Sequence, residues 1–239
     1  MDTVKFDRRA VKLVAHRGRS GLETENTVAA FVAAGNRDYF GIETDVHKTA
    51  DGRYVVIHDS STARVSGIEM TVEESTFEEL RALTLSDLGQ APRADLRIPS
   101  LEEYLGTCRR YGKRAVLELK GSFDKESISE ILTLSTELLG LDRMIFISFD
   151  YQNLVYLREL SDTAKLQFLT SKPIDEALVA RLLAYRMDLD AHYGVVTEEL
   201  VTLLHENGIE INCWTVNDPE IGERLAAWGI DYITTNILQ

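Results

Sequence analysis

The feature that most constrains this chain is a rhythm. Eight short apolar, β-rich runs stand at 12–16, 41–46, 115–120, 144–149, 164–168, 187–191, 210–214 and 231–234. Amphipathic segments alternate with them at 27–34, 77–83, 101–111, 125–139, 151–160, 175–185, 198–207 and 219–228. Strand and helix signals in this order specify an α/β protein with a parallel sheet. Eight strand signals in regular alternation favour closure into a (β/α)₈ TIM barrel over an open doubly wound sheet. The 239 residues suit one such barrel, for which about 250 is typical. Local signals agree: Asp218-Pro219 reads as a capped helix start, and Asn207-Gly208 as a helix stop.

The rhythm breaks once. Between the second and third barrel strands the spacing is too long for a simple crossover. It holds an additional strand at 54–57, then His58-Asp59, a polar stretch, a helix and a loop at 90–99. The chain is therefore expected to be one domain, 1–239, with a small insertion after strand 2, at about 47–113. No linker or low-complexity tract divides it.

Charge narrows the partners. The net charge of −13 disfavours nucleic acid and anionic bilayers. A small anionic ligand stays compatible with it, since a local site can oppose the global sign. Cys108 and Cys213 are far apart and fit no zinc or CxxC spacing, so both are expected to be packed thiols. The first nine residues are polar and show no secretory h-region. No apolar run reaches the ~20 residues that span a bilayer. The expectation is a cytoplasmic protein without stable membrane association, acting on a small molecule as a monomer or homodimer.

The strands themselves carry unusual cargo. Glu43 and Asp45 lie two apart in Gly41-Ile-Glu-Thr-Asp-Val46, so the two-residue strand period places both on one face. In a small barrel that face points inward. Glu118 and Lys120 repeat the spacing, with Leu117 and Leu119 facing outward. Buried like charges repel and resist desolvation, and a bound divalent cation removes both difficulties. An all-oxygen set favours Mg²⁺ or Ca²⁺, with Mn²⁺ a further candidate, over zinc. The alternative is an internal charge network without metal.

His16 ends the first strand in "LVAHRGRSGLETENT", and His58 follows the additional strand. Two histidines near a carboxylate-bound cation suit general acid and base roles, because imidazole titrates near neutral pH. His47, His192 and His205 are expected to be ordinary packed or surface residues. Arg17 and Lys120, beside the cation, describe a pocket for a phosphate-type anion.

The ordered set His16-Arg17-Gly18, Glu25-Asn26-Thr27, Glu43-x-Asp45, His58-Asp59, Glu118-x-Lys120 and Trp214-Thr-Val-Asn-Asp218 resembles the glycerophosphodiester phosphodiesterase family. The likeness runs from about Leu13 to Thr235. It implies a TIM barrel of the phosphatidylinositol-phospholipase-like type. It also implies metal binding by Glu43, Asp45 and Glu118, and acid–base work by His16 and His58. The activity implied is metal-dependent hydrolysis of glycerophosphodiesters to glycerol 3-phosphate and an alcohol. Phe149 and Trp214, at strand ends, are candidates to flank the glycerol or the leaving group, or to pack the barrel mouth. Glu25 either orients Arg17 or serves as a helix N-terminal charge.

Three departures bear on substrate recognition. Thr24 stands where the family usually has proline. Thr235-Asn236 replaces Thr-Asp. Ser60-Ser-Thr-Ala-Arg64-Val-Ser66 replaces a leucine followed by Arg-Thr-Thr. Two rival functions remain at this stage: a lysophospholipase D for single-chain lipids, and a catalytically silent phosphodiester-binding barrel.

Overall fold

The computed structural model describes residues 3–88 and 90–239. The barrel strands are β1 (Lys12–Ala15), β2 (Gly41–Lys48), β4 (Arg114–Leu119), β5 (Met144–Ser148), β6 (Lys165–Thr170), β7 (Asp188–His192), β8 (Ile211–Trp214) and β9 (Tyr232–Thr235). They pair in parallel in that order, and β1 pairs with both β2 and β9, which closes the ring. β3 (Tyr54–Val56) lies outside it, antiparallel to the far end of β2. The eight expected strands are therefore the eight barrel strands. The fifth of them, β6, is shifted: it omits Ala164 and runs on through Leu169 and Thr170.

The outer helices are α1 (Val28–Gly35), α4 (Leu101–Arg110), α5 (Lys125–Leu138), α6 (Tyr151–Leu160), α7 (Glu176–Ala184), α8 (Glu198–Glu206) and α9 (Pro219–Ala227). Each begins where a side chain satisfies a free helix-end N–H. Thr27 caps α1, Asp124 caps α5, and Asp218 caps α9 with Pro219 in its first turn. Ser100 and Glu103 form a reciprocal capping box on α4. Two segments expected as helix, Thr27 and Asp175, are thus caps.

Alternation along each strand sorts the core into two layers. Outward residues such as Leu13, Ile42, Leu117, Phe146 and Leu189 pack against the helices. Inside the barrel a smaller cluster forms from Val14, Val116, Ile145, Ile147, Leu169 and Tyr232. Each buried aliphatic side chain contributes about 1.5–3 kcal/mol relative to exposure. This plug closes the barrel below the catalytic end. At the opposite pole Lys165 lies 2.9 Å from Asp188 and also pairs with Glu210.

The segment between β2 and α4 has its own apolar nucleus. Val55, Ile57, Val72, Leu80, Leu96 and Ile98 are its buried members. It carries β3, the short α2 (Ala63–Ser66) and α3 (Phe77–Ala82), the last started by a Thr76–Glu79 capping box. Cys108 and Cys213 are buried free thiols. No helix among the described residues is long and apolar enough to cross a membrane.

Candidate active site

The site is assembled at the C-terminal ends of the strands. Beyond β1 the chain turns sharply: Arg17 adopts φ +53° and Gly18 φ +76°. A side chain at Gly18 would meet the Ala30 backbone at 2.7 Å, so only glycine allows this loop to lie on α1. The turn sends the Arg17 backbone N–H to Glu43 Oε2 at 2.8 Å. His16 and Arg17 are thereby fixed against β2.

Strand register then gathers the carboxylates. Asp45 is paired with Glu118 across β2 and β4, and alternation turns Glu43, Asp45, Glu118 and Lys120 inward as expected. All three acids are buried. One oxygen of each lies within 4.8 Å of the others. Burial pushes Glu43 well above the usual carboxylate range, and Asp45 and Glu118 add to it. Burial and Asp45 raise Glu118 to about 7, against Lys120. Burial acts on Asp45 in the same sense, but Arg17, Lys120 and His58 outweigh it and hold its pKa down. Asp45 Oδ1 is buried with no hydrogen-bond partner. Crowded hard oxygens, one of them unsatisfied, fit a divalent cation of the Mg²⁺ or Ca²⁺ kind.

The cations of the site are already engaged. Lys120 Nζ lies 2.9 Å from Glu118 and 3.6 Å from Asp45. Arg17 Nη1 donates to Glu25 Oε1 at 2.9 Å, and its Nε lies 3.6 Å from Asp45. Glu25 sits before the cap residue of α1, so of its two expected roles the structure places it against Arg17.

Each histidine has one committed nitrogen. His58 Nδ1 lies 2.6 Å from Asp59 Oδ1. A carboxylate only accepts, so Nδ1 carries the proton and Nε2 is left for a ligand. His16 Nδ1 lies 2.7 Å from Asn236 Oδ1, which also accepts from Ser20. Burial, then Arg17, lowers the His16 pKa to about 4. Burial also lowers His58, against the pull of Asp45 and Asp59.

His16, Arg17, Glu43, His58 and Glu118 share a cavity of about 80 Å³ with Phe149 and Trp214. Those two rings meet edge to face at 5.6 Å, and Phe149 is 47% exposed. Lys120, expected in the phosphate pocket, pairs with Glu118 and is not among the residues that line this cavity. His47 is buried, bonded to Glu73 at 2.6 Å and to the His58 carbonyl at 3.3 Å. His192 stacks on Tyr193, and His205 pairs with Asp231 away from the site.

Several participants were not singled out from sequence. Asn26 donates to Asp45, Asn236 holds His16, and Arg64 bridges Glu25 and Asp59. Asp190 lines the cavity, fully buried, with only one oxygen bonded, to Asn212. Asp188-x-Asp190 has the same two-residue period as Glu43-x-Asp45, and that signal could have found it.

Comparison with known proteins identifies the family. The glycerophosphoryl diester phosphodiesterase family profile matches residues 16–238. The chain belongs to this family. A glycerophosphodiester phosphodiesterase of Caldanaerobacter subterraneus subsp. tengcongensis is 32% identical over 94% of this chain and 93% of its own. A phosphodiesterase of Oleispira antarctica, solved with its product sn-glycerol-3-phosphate, superimposes with a TM-score of 0.88 at 25% identity, covering 98% and 96% of the two chains. The glycerophosphodiester phosphodiesterase of Thermotoga maritima does so at 0.75 and 30%, covering 95% and 94%. Membership makes this protein an enzyme of the phosphoric diester hydrolase class.

Proposed function

We propose that the enzyme hydrolyses small glycerophosphodiesters to glycerol 3-phosphate and an alcohol, with His16 and His58 as base and acid and with one divalent cation. The observation that carries this reading is a cluster of three buried carboxylates, two of which, Glu43 and Glu118, line one cavity with two singly committed histidines. The product found in the Oleispira antarctica relative supports the same substrate class.

Glu43, Asp45 and Glu118 are the residues that would hold the cation. When bound, it supplies positive charge for the phosphate oxygens and acidifies a nearby hydroxyl. Arg17 binds a non-bridging phosphate oxygen from the opposite side, held in place by Glu25 and Glu43. His16 faces a neutral amide and has a depressed pKa, so it stays unprotonated at neutral pH and takes the proton of the attacking hydroxyl. That hydroxyl is either water or the neighbouring hydroxyl of the substrate, the latter giving a cyclic phosphate that water opens. His58 is backed by the Asp59 carboxylate, which stabilises imidazolium. As imidazolium, protonated at both ring nitrogens, it keeps the Nδ1 proton on the Asp59 bond and delivers the Nε2 proton to the departing alcohol oxygen. Phe149 and Trp214 bound the apolar side of the substrate at the mouth.

The test is direct. Chelator-stripped protein is assayed on glycerophosphocholine, glycerophosphoethanolamine and lysophosphatidylcholine, with Mg²⁺, Ca²⁺ or Mn²⁺ restored singly. Release of glycerol 3-phosphate from the first two, only with a cation, is the expected result. No hydrolysis of either under any metal overturns the reading.

A further inference from the structure

Arg64 stands in α2, outside the barrel, with a side chain 47% exposed. All three of its guanidinium nitrogens are nevertheless committed. Nε donates to Asp59 Oδ2 at 2.6 Å, and Nη1 and Nη2 donate to the two oxygens of Glu25 at 2.9 and 2.8 Å. Both acceptors are the partners of groups that line the cavity. Asp59 accepts the His58 Nδ1–H bond through its other oxygen at 2.6 Å. Glu25 takes Arg17 Nη1 at 2.9 Å.

We propose that Arg64 is a positioning residue for phosphodiester cleavage, one guanidinium bridge that sets His58 and Arg17 in register with each other. The inference rests on the functional reading above. Asp59 alone is a short carboxylate on a loop. Bonded at one oxygen to His58 and at the other to Arg64, it has a fixed plane, and so has the imidazole. Charge gives the second half of the argument. Arg17, Arg64, Glu25 and Asp59 sum to zero. Without Arg64 the remaining three carry a net negative charge beside the place where an anionic phosphodiester docks. Arg17 would then be more strongly claimed by Glu25. Loss of Arg64 therefore acts twice: on binding through Arg17, and on proton transfer through His58. Lysine has one point of charge and no fork, so it restores the charge but not the three-way geometry.

The experiment uses Arg64→Gln and Arg64→Lys, each also in an Asp59→Asn background, with glycerophosphocholine as substrate. Arg64→Gln is expected to raise KM and lower kcat, together about ten- to a hundredfold in kcat/KM, at an unchanged thermal midpoint. Arg64→Lys is expected to recover KM and leave kcat low. In the Asp59→Asn background the kcat effect of Arg64→Gln should disappear, because the link to His58 is already cut. A readout independent of turnover is the downfield His58 Nδ1–H proton resonance, assigned by its loss in His58→Ala. It should broaden or vanish in Arg64→Gln. Wild-type kcat and KM in Arg64→Gln, an undiminished kcat effect beside Asp59→Asn, or an unchanged resonance overturns the proposal. A wild-type protein silent on glycerophosphodiesters whose resonance still depends on Arg64 instead supports the bridge and removes the substrate reading.

Discussion

Asn26 donates its side-chain N–H to Asp45 Oδ2 at 2.8 Å while its own oxygen accepts from Thr44 at 2.7 Å. Its backbone is in the left-handed region, φ +53°, which asparagine tolerates better than most residues. This bond fixes which way the Asp45 carboxylate faces and leaves Oδ1, with Lys120 Nζ 3.6 Å away, without a hydrogen bond and open to a cation. Asn26→Ala is expected to weaken divalent cation binding by about 10–100-fold, the usual cost of losing a residue that orients a metal ligand. Titration calorimetry with Mg²⁺ and Ca²⁺ checks it. An affinity within twofold of wild type would show that the Asp45 orientation is set elsewhere.

The acids themselves make a stronger test. Asp45→Asn replaces a charged oxygen by a neutral amide, a poorer ligand for a hard cation. Activity should fall with it, and wild-type activity should vanish on chelation and return when a cation is restored. Full turnover in exhaustively chelated protein, with no metal found by elemental analysis, is the outcome that sinks the metal assignment.

These residues differ in how far the sequence announced them. Glu43, Asp45, Glu118 and Lys120 were legible because strand alternation and barrel closure together force them inward, and no other arrangement satisfies both. The eight strands were legible for the same reason. Asn26, Asn236 and Arg64 were not, although Asn26 lies inside a quoted motif. Their roles depend on where loops land. Asn236 reaches His16 across 220 positions of chain, and Arg64 reaches Glu25 across 39. No local period encodes such contacts. The insertion looked like a polar decoration, yet its own buried nucleus holds α2 where Arg64 meets the site. Arg19 is a further case: its guanidinium, fully buried, clasps the Asn236 and Ile237 carbonyls, a tertiary contact that RGRSG does not advertise.

His16→Ala and His58→Ala should each lose about 10²–10⁴-fold in turnover, the usual range for a positioned acid or base. Both side chains are only partly buried beside the cavity, so the barrel should remain folded. Steady-state kinetics paired with thermal melts is the check. A variant with a normal melt and wild-type turnover takes that histidine out of the mechanism.

Acid stability tests the environment of His16 separately from catalysis. Its pKa is lowered from 6.5 to about 4, first by burial and then by Arg17, against Asn236, Asp45 and Glu25. The unfolded chain takes up this proton near 6.5, the folded one only near 4. Between these values the unfolded state binds more protons, so stability rises with pH. The contribution is complete above the higher value and is lost as pH falls toward the lower. His16→Asn should therefore show a shallower fall in urea midpoint than wild type between pH 6.5 and 4, both in chelator. Parallel curves would mean that the folded imidazole titrates normally.

Substrate size is the last prediction, and the cavity decides it. The cavity is lined by His16, Arg17, Glu43, His58, Glu118 and Asp190, a wall that suits the charged head of a phosphodiester rather than an acyl chain. The mouth offers Phe149 and Trp214 on one side. On the other it offers Arg17 and His58, polar groups that an alkyl chain would desolvate at a cost. An acyl chain of ~14 methylenes could gain about 0.8 kcal/mol for each one buried, and a site built for it should provide continuous apolar cover. Glycerophosphocholine is therefore expected to be cleaved with a higher kcat/KM than lysophosphatidylcholine held below its micellar concentration. Among the described residues the apolar lining of the cavity is Ile147, Phe149, Leu169 and Trp214, and Phe149 is the most exposed of them. Phe149→Ala should accordingly raise KM for the small substrate without creating a preference for the lipid. A tenfold or greater preference of the wild-type enzyme for the lysolipid would reverse the conclusion and make it a lysophospholipase D.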